Sequence, residues 1–201
     1  EKMALKEDFS VGIASSNFFQ SKSISQIGSI ASYRSKLPCV AISETFNLIV
    51  NGTSDGFIVI SSLTRLAVEN IVSLGEDAKP VLISISPSWG LIVVHTFEIK
   101  SGIVTNFLLI FNVNGKLISK TKVDFSVTCM LAFTDSSSFD HIILADSTGV
   151  LFISDIYELD FSKPLYRCHD KVINLFYCND DSRIIAVSSN GKIFLIAHDF
   201  L

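Results

Sequence analysis

Four sets of residues in this 201-residue chain are of types that could do chemistry or recognise a partner. The first is His169-Asp170 with Ser188 or Ser189 downstream. A Ser–His–Asp relay needs a base within hydrogen-bond reach of the hydroxyl, a carboxylate behind the base and donors for an oxyanion. Neither serine stands in a nucleophile elbow, so a hydrogen bond that steadies a strand end is expected and no catalytic residue is assigned. The second set, Cys168, His169 and Cys178, offers soft zinc ligands. A structural zinc site takes four ligands at tight spacing, and neither a fourth ligand nor a CxxC pair is present. No metal or cofactor is therefore expected. Cys39, Cys129, Cys168 and Cys178 read as reduced, buried small hydrophobes.

The third set is acidic: Glu44, Asp135, Asp140, Asp180 and Asp181 fall in predicted turns on one side of the fold. Carboxylates do acid–base work when held close together and partly desolvated. Exposed turn residues meet neither condition, so a solvated rim is expected, with contact to a basic partner as the functional alternative. The fourth set is recognition chemistry. Trp89, the single Trp, follows Pro87 in such a turn, where it either closes off the end of the fold or stands out as an anchor. Glu98 and Lys100 lie in a predicted irregular loop, Thr96 to Thr105. Trp89, Glu98, Lys100, Asp135, Asp180 and Asp181 are the partner-binding candidates.

Composition narrows the class. Hydrophobic residues make up 48% of the chain and charged residues 18%, with a net charge of −4. That supports a large core and disfavours nucleic acid, whose binding draws on clustered Lys and Arg. Lys116, Lys120 and Lys122 are spread along one predicted strand and read as its solvated face. The most apolar stretch, Leu91 to Val113, is broken by His95, Glu98, Lys100 and Asn106, so no membrane span is expected. No leader is recognised, and the sequon Asn51-Gly52-Thr53 is read as accidental. Because the chain opens on Glu1, it is expected to be a piece of something longer.

The elements that must position these residues repeat. Four segments share one plan: an apolar run, a polar turn and a second apolar run. The runs start at Leu37, Pro80, Val127 and Val172, and end before their turns at Ile42, Ile85, Phe133 and Tyr177, spaced 43, 48 and 44 residues apart. Third runs follow the tight turns Ser54-Asp55-Gly56, Ser147-Thr148-Gly149 and Ser189-Asn190-Gly191, which favour hairpins because glycine reaches positive φ. More polar fourth runs, Arg65 to Leu74, Lys116 to Asp124 and Lys163 to Cys168, alternate as outer strands with one wet face do. A period of about 40–45 residues with four strands per unit is the signature of a β-propeller. The expected fold is all-β: propeller blades of four antiparallel strands. About four and a half blades are expected, divided as 1–29 (a partial blade), 30–78, 79–124, 125–168 and 169–201 (a terminal partial blade). A seven-bladed ring would need about 300 residues on this period, so the chain is expected to be part of a larger propeller.

Particular passages resemble WD-repeat propellers. Cys168 to Leu175 (CHDKVINL) is similar to the family's GH…V…L opening, while Asp55 to Ile60 and Gly149 to Asp155 are similar to its DGTIRIWD strand. The Trp of the WD pair is replaced at Ser61, Phe111, Ser154 and Ile196, and Asp155 alone keeps the Asp. Cys39 to Leu63, Ile85 to Val94 and Ile110 to Ile118 further resemble the propeller that follows the BEACH domain in BEACH-type trafficking proteins. That resemblance implies a protein-interaction scaffold for vesicle or endolysosomal membrane traffic, cytoplasmic and at the periphery of endomembranes. It would bind protein partners, bind no nucleic acid, and meet membrane only indirectly through the rest of its parent. The alternative expectation is a propeller-fold hydrolase using polar residues of the inner strands, of which Ser84, Thr128 and Asn174 are the candidates.

Overall fold

A computed structural model describes residues 38–178 and 182–197. Among these residues every regular element is a strand, and the strands form four sheets. The first holds β1 (Cys39–Ser43), β2 (Leu48–Gly52), β3 (Phe57–Ser62) and β4 (Val68–Ser73). The second holds β5 (Ala78–Ile85), β6 (Ile92–Lys100), β7 (Ile103–Phe111) and β8 (Leu117–Val123). The third holds β9 (Val127–Thr134), β10 (Asp140–Asp146), β11 (Val150–Asp155) and β12 (Pro164–Arg167), and the last holds β13 (Val172–Cys178), β14 (Arg183–Ser188) and β15 (Ile193–Ala197). Each sheet is an antiparallel meander in chain order, and the first strands β1, β5, β9 and β13 lie side by side as inner strands. This is an arc of propeller blades. The expected partial blade over 1–29 lies outside the described residues.

The continuous apolar runs follow from this stacking. A middle strand serves two interfaces at once. Ile92 and Val94 of β6 pack back onto Val50, Ile58 and Ile60, while Val93 between them packs forward with Ile142 and Leu144 of β10. Ile143 and Ala145 then pack forward onto Val172, Leu175, Ile184 and Ala186. A strand buried on both faces must be apolar at every position rather than every second one. The deepest burial falls on the second and third strands of the first three sheets. The first strands are only partly covered.

One turn recipe recurs. At Thr53, Asn112, Asp135, Asp146 and Ser188 a side-chain oxygen accepts the backbone N–H four residues on. The residue three positions on, Gly56, Gly115, Ser138, Gly149 or Gly191, has positive φ. A three-residue loop ending in a left-handed residue carries the right-handed strand twist through the hairpin.

The second blade departs from the expected loop over Thr96 to Thr105. The β6–β7 ladder runs without interruption out to the pair Lys100↔Ile103. Ser101 (φ 51°) and Gly102 (φ 78°) make a two-residue turn of the type that joins twisted strands directly. The extra residues are mostly β-branched (Ile99, Ile103, Val104, Thr105), so they lengthen the hairpin instead of looping.

Candidate functional site

The turns between first and second strands share one end of the arc, and Trp89 is held there by both neighbouring blades. In its turn, Gly90 N–H donates to the Ser86 carbonyl (3.1 Å) and Leu91 N–H to Ser86 Oγ (3.2 Å). On one side Gly90 (φ 66°) presses on Phe46 of the first blade, since a Cβ there would lie 2.8 Å from the ring. On the other side stands Asp140 of β10. Its carboxylate accepts N–H bonds from Ser88 (3.4 Å) and Trp89 (3.2 Å) and the hydroxyl of Thr134 (2.5 Å). Asp140 is 2% exposed, whereas the Trp89 it holds is 61% exposed. The Trp89 ring therefore faces outward at this end and is not packed over the neighbouring blades.

Two more exposed aromatic residues belong to the same end of the third blade. Phe139 precedes Asp140 in the chain, and Ile156 N–H, next to Tyr157, donates to the Asp140 carbonyl (3.2 Å). Both Phe139 and Tyr157 are 59% exposed. Desolvation and then the charges of Asp140 and Asp155 push the Tyr157 phenol above its usual range, so the ring remains neutral. Below the surface, Asp135 accepts N–H bonds from Phe139 (2.8 Å) and Ser137 (2.9 Å) and lies 3.0 Å from His141 Nε2. Burial alone would raise this carboxyl, but the bonds from His141 and Phe139, the charge of His141 and the Ser137 bond outweigh it and hold it below the usual range. The expectation of a solvated acidic rim is thus corrected at Asp135 and Asp140. Both are buried fasteners of the turns, and Glu44 is exposed as expected.

The sequence-derived candidates divide between the two ends. Trp89 and Asp135 come together at this rim, while Asp180 and Asp181 lie outside the described residues. Glu98 and Lys100 are on the long hairpin at the opposite end. There Glu98, nearly buried, binds Lys100 Nζ (2.9 Å) and Lys120 Nζ, and Lys120 also lies over the Phe107 ring, 4.1 Å from its centroid. Hydrogen bonds from Lys120 and Lys100 hold the Glu98 carboxyl below its usual range against the pull of burial. Lys120, read from sequence as part of a solvated face, is the clamp of the hairpin base.

The residues considered for catalysis have other employment. Ser188 Oγ bonds Asn190 Oδ1 (2.5 Å) and accepts Lys192 N–H (3.1 Å), while Asp170 pairs with Lys192 (2.8 Å). Thr128 Oγ1 donates to carbonyls of its own blade and of Val172 in the next (3.1 Å). Ser84 Oγ accepts Ala132 N–H (2.9 Å), and Asn174 accepts Leu175 N–H (3.0 Å). Thr128 and Ser84 thus stitch neighbouring blades together, Asn174 bonds within its own strand, and the hydrolase alternative gains nothing from them. Among the described residues, Cys168, His169 and Cys178 form no cluster able to hold a metal. Sequence reasoning missed Asp140 as a clamp, and missed Phe139 and Tyr157. A signal for the last was its place, with Glu158, between the third and fourth runs of a repeat, where a turn must expose it.

The clamp gives a prediction. Asp140→Ala removes a charged acceptor from two part-buried N–H groups and from the Thr134 hydroxyl, so it is expected to lower stability by about 2 kcal/mol and to free the Trp89 turn. Urea unfolding followed by the emission of this single Trp measures both. Unchanged stability and unchanged emission would show the clamp to be idle.

No protein-family model matches the chain. Among solved structures it is similar to the computationally designed Ika4 protein, with 15% identity and TM-score 0.57 over 83% of this chain and 93% of that one. It is similar to the β-propeller domain of Cps50 (Swd1) from Myceliophteria thermophila, at 8% identity and TM-score 0.59 over 86% of this chain and 57% of that one. It is also similar to the C-terminal WD40 domain of Sif2, at 17% identity and TM-score 0.58 over 82% and 44%. These likenesses show the fold, an arc of β-propeller blades. The chain spans about half the length of the latter two propellers.

Proposed function

We propose that this chain is a protein-interaction scaffold that captures its partner at the Trp89 rim, and that it acts as part of a BEACH-type protein in vesicle or endolysosomal membrane traffic. On this reading it works in the cytoplasm at the periphery of endomembranes, binds protein and not nucleic acid, and meets membrane through the rest of its parent. The observation that carries the scaffold role is Trp89 itself. Its ring offers a large amphipathic contact surface, and a buried carboxylate from the next blade holds the backbone of the turn that carries it. Trp and Tyr on rigid supports are typical binding anchors. The trafficking role rests on the resemblance of Cys39 to Leu63, Ile85 to Val94 and Ile110 to Ile118.

The test is photo-crosslinking. A benzophenone amino acid at position 89 of the protein in its own cells is expected to trap a discrete partner. The same residue at Ile118, also about half exposed but on an outer strand, is expected to trap none. Identical or absent products at the two positions would refute the rim as the docking surface.

A further inference from the structure

The chemistry around the rim also says what kind of segment it receives, and this step rests on the rim being a docking surface. The three exposed rings carry no cation of their own. The β5–β6 turn (86–91) and the β9–β10 turn (135–139) contain neither Lys nor Arg. The loop that carries Tyr157 holds Asp155, Glu158 and Asp160 against the single Lys163. Asp155 accepts Tyr157 N–H (2.7 Å), so its charge sits at the base of that ring, and Glu158 and Asp160 are exposed. Asp140 adds a fixed negative charge beneath Trp89. Another exposed apolar group, on the last sheet (Ile173, Phe176, Ile193, Leu195), has a different character: three of its four residues are aliphatic. Open aromatic faces beside a local excess of carboxylates attract a cation twice over, through the ring quadrupole and through opposite charge.

We propose that the Trp89 rim takes a cationic and otherwise apolar peptide segment of a protein partner, with an arginine or lysine lying against Trp89 or Tyr157 within reach of Asp155 and Glu158. An aliphatic or proline neighbour of that cation covers Phe139. An acidic segment meets three like charges and is repelled.

The probe is a fluorescein-labelled ten-residue peptide alternating arginine with leucine and proline, titrated with the 201-residue chain and followed by anisotropy. Two further peptides have citrulline or glutamate in place of every arginine. The arginine peptide is expected to bind and to shift the emission of Trp89. The citrulline peptide, equal in shape but neutral, is expected to bind at least about tenfold more weakly, and the glutamate peptide not at all. Glu158→Lys and Trp89→Ala are each expected to weaken the arginine peptide about tenfold, with the circular dichroism spectrum unchanged. Equal affinity for arginine and citrulline peptides, no binding of the arginine peptide, or binding indifferent to both substitutions would overturn the proposal. A crosslinked partner at position 89 would survive any of those results, so failure of the cationic assignment is separable from failure of the scaffold reading.

Discussion

Gly149→Ala is expected to destabilise the protein by about 4 kcal/mol, the largest effect of any glycine-to-alanine change among the described residues. Two costs combine there. Gly149 has φ 86°, a conformation that L-residues occupy at a cost of about 1–2 kcal/mol. The added Cβ would also stand 2.2 Å from the carbonyl oxygen of Asp170, with the Asp170 carbonyl carbon and nitrogen close behind. That neighbour is backbone, part of the lead into β13, and Cys168 N–H is already bonded to the Gly149 carbonyl (2.8 Å). Nothing can rotate away, so the third and last blades must separate. Gly191 supplies the internal control. It has the same place in its own turn and a φ of 83°, yet a Cβ there meets nothing within 4 Å. Gly191→Ala is therefore expected to cost only the conformational share, about 1 kcal/mol. Gly56, whose Cβ would approach the Ala78 carbonyl oxygen at 2.6 Å, belongs with Gly149. Thermal unfolding is expected to fall by about 10 °C for Gly149→Ala and by a few degrees for Gly191→Ala. Equal shifts would mean that the close approach between blades contributes nothing.

The contrast between these glycines shows why the architecture was readable from the sequence. The turn residues Thr53, Asp146 and Ser188, each with glycine three positions on, are chemical requirements of a tight hairpin, so they recur wherever the hairpin does. The unbroken apolar runs of β6 and β10 are likewise forced, because each strand faces two neighbouring blades. The long hairpin was misread for a definite reason: Glu98 and Lys100 look like loop residues, and the pairing of Glu98 with Lys120 from β8 is a contact between strands that local pattern cannot show. The rim was half legible. Trp89 was visible as a lone aromatic in a turn. Its orientation depends on Asp140, 51 positions away, and an aspartate at the start of a strand looks in sequence like any solvated turn residue. Burial turned it into the fastener that defines the site.

The second large effect is expected on acidification, and it centres on His95. This side chain is 3% exposed and alternates along β6 with Val93, on the face that packs with Ile142 and Leu144 of the next blade. Its Nε2 lies 3.2 Å from Asn106 Oδ1, while Nδ1 is buried without a partner. Burial pushes the ring down from 6.5 to about 4, with the Asn106 bond acting weakly in the other direction. The folded chain therefore keeps His95 neutral where the unfolded chain protonates it. Between those two values the unfolded state binds the extra proton, so stability is full above pH 6.5 and is lost as pH falls toward 4, by roughly 3 kcal/mol in all. The comparison to make is urea unfolding at pH 7 and pH 4.5 for the natural chain and for His95→Gln, which stays neutral and can still donate to Asn106. The natural chain is expected to lose more than 2 kcal/mol beyond the loss of the variant, because the other histidines are common to both. Parallel losses would mean that the ring takes up its proton inside the folded blade. The carboxyl of Asp135, held below its usual range, stays ionised across the whole window. Acid thus weakens the packing between the second and third blades, and the third is the blade whose Asp135 carboxylate is still charged.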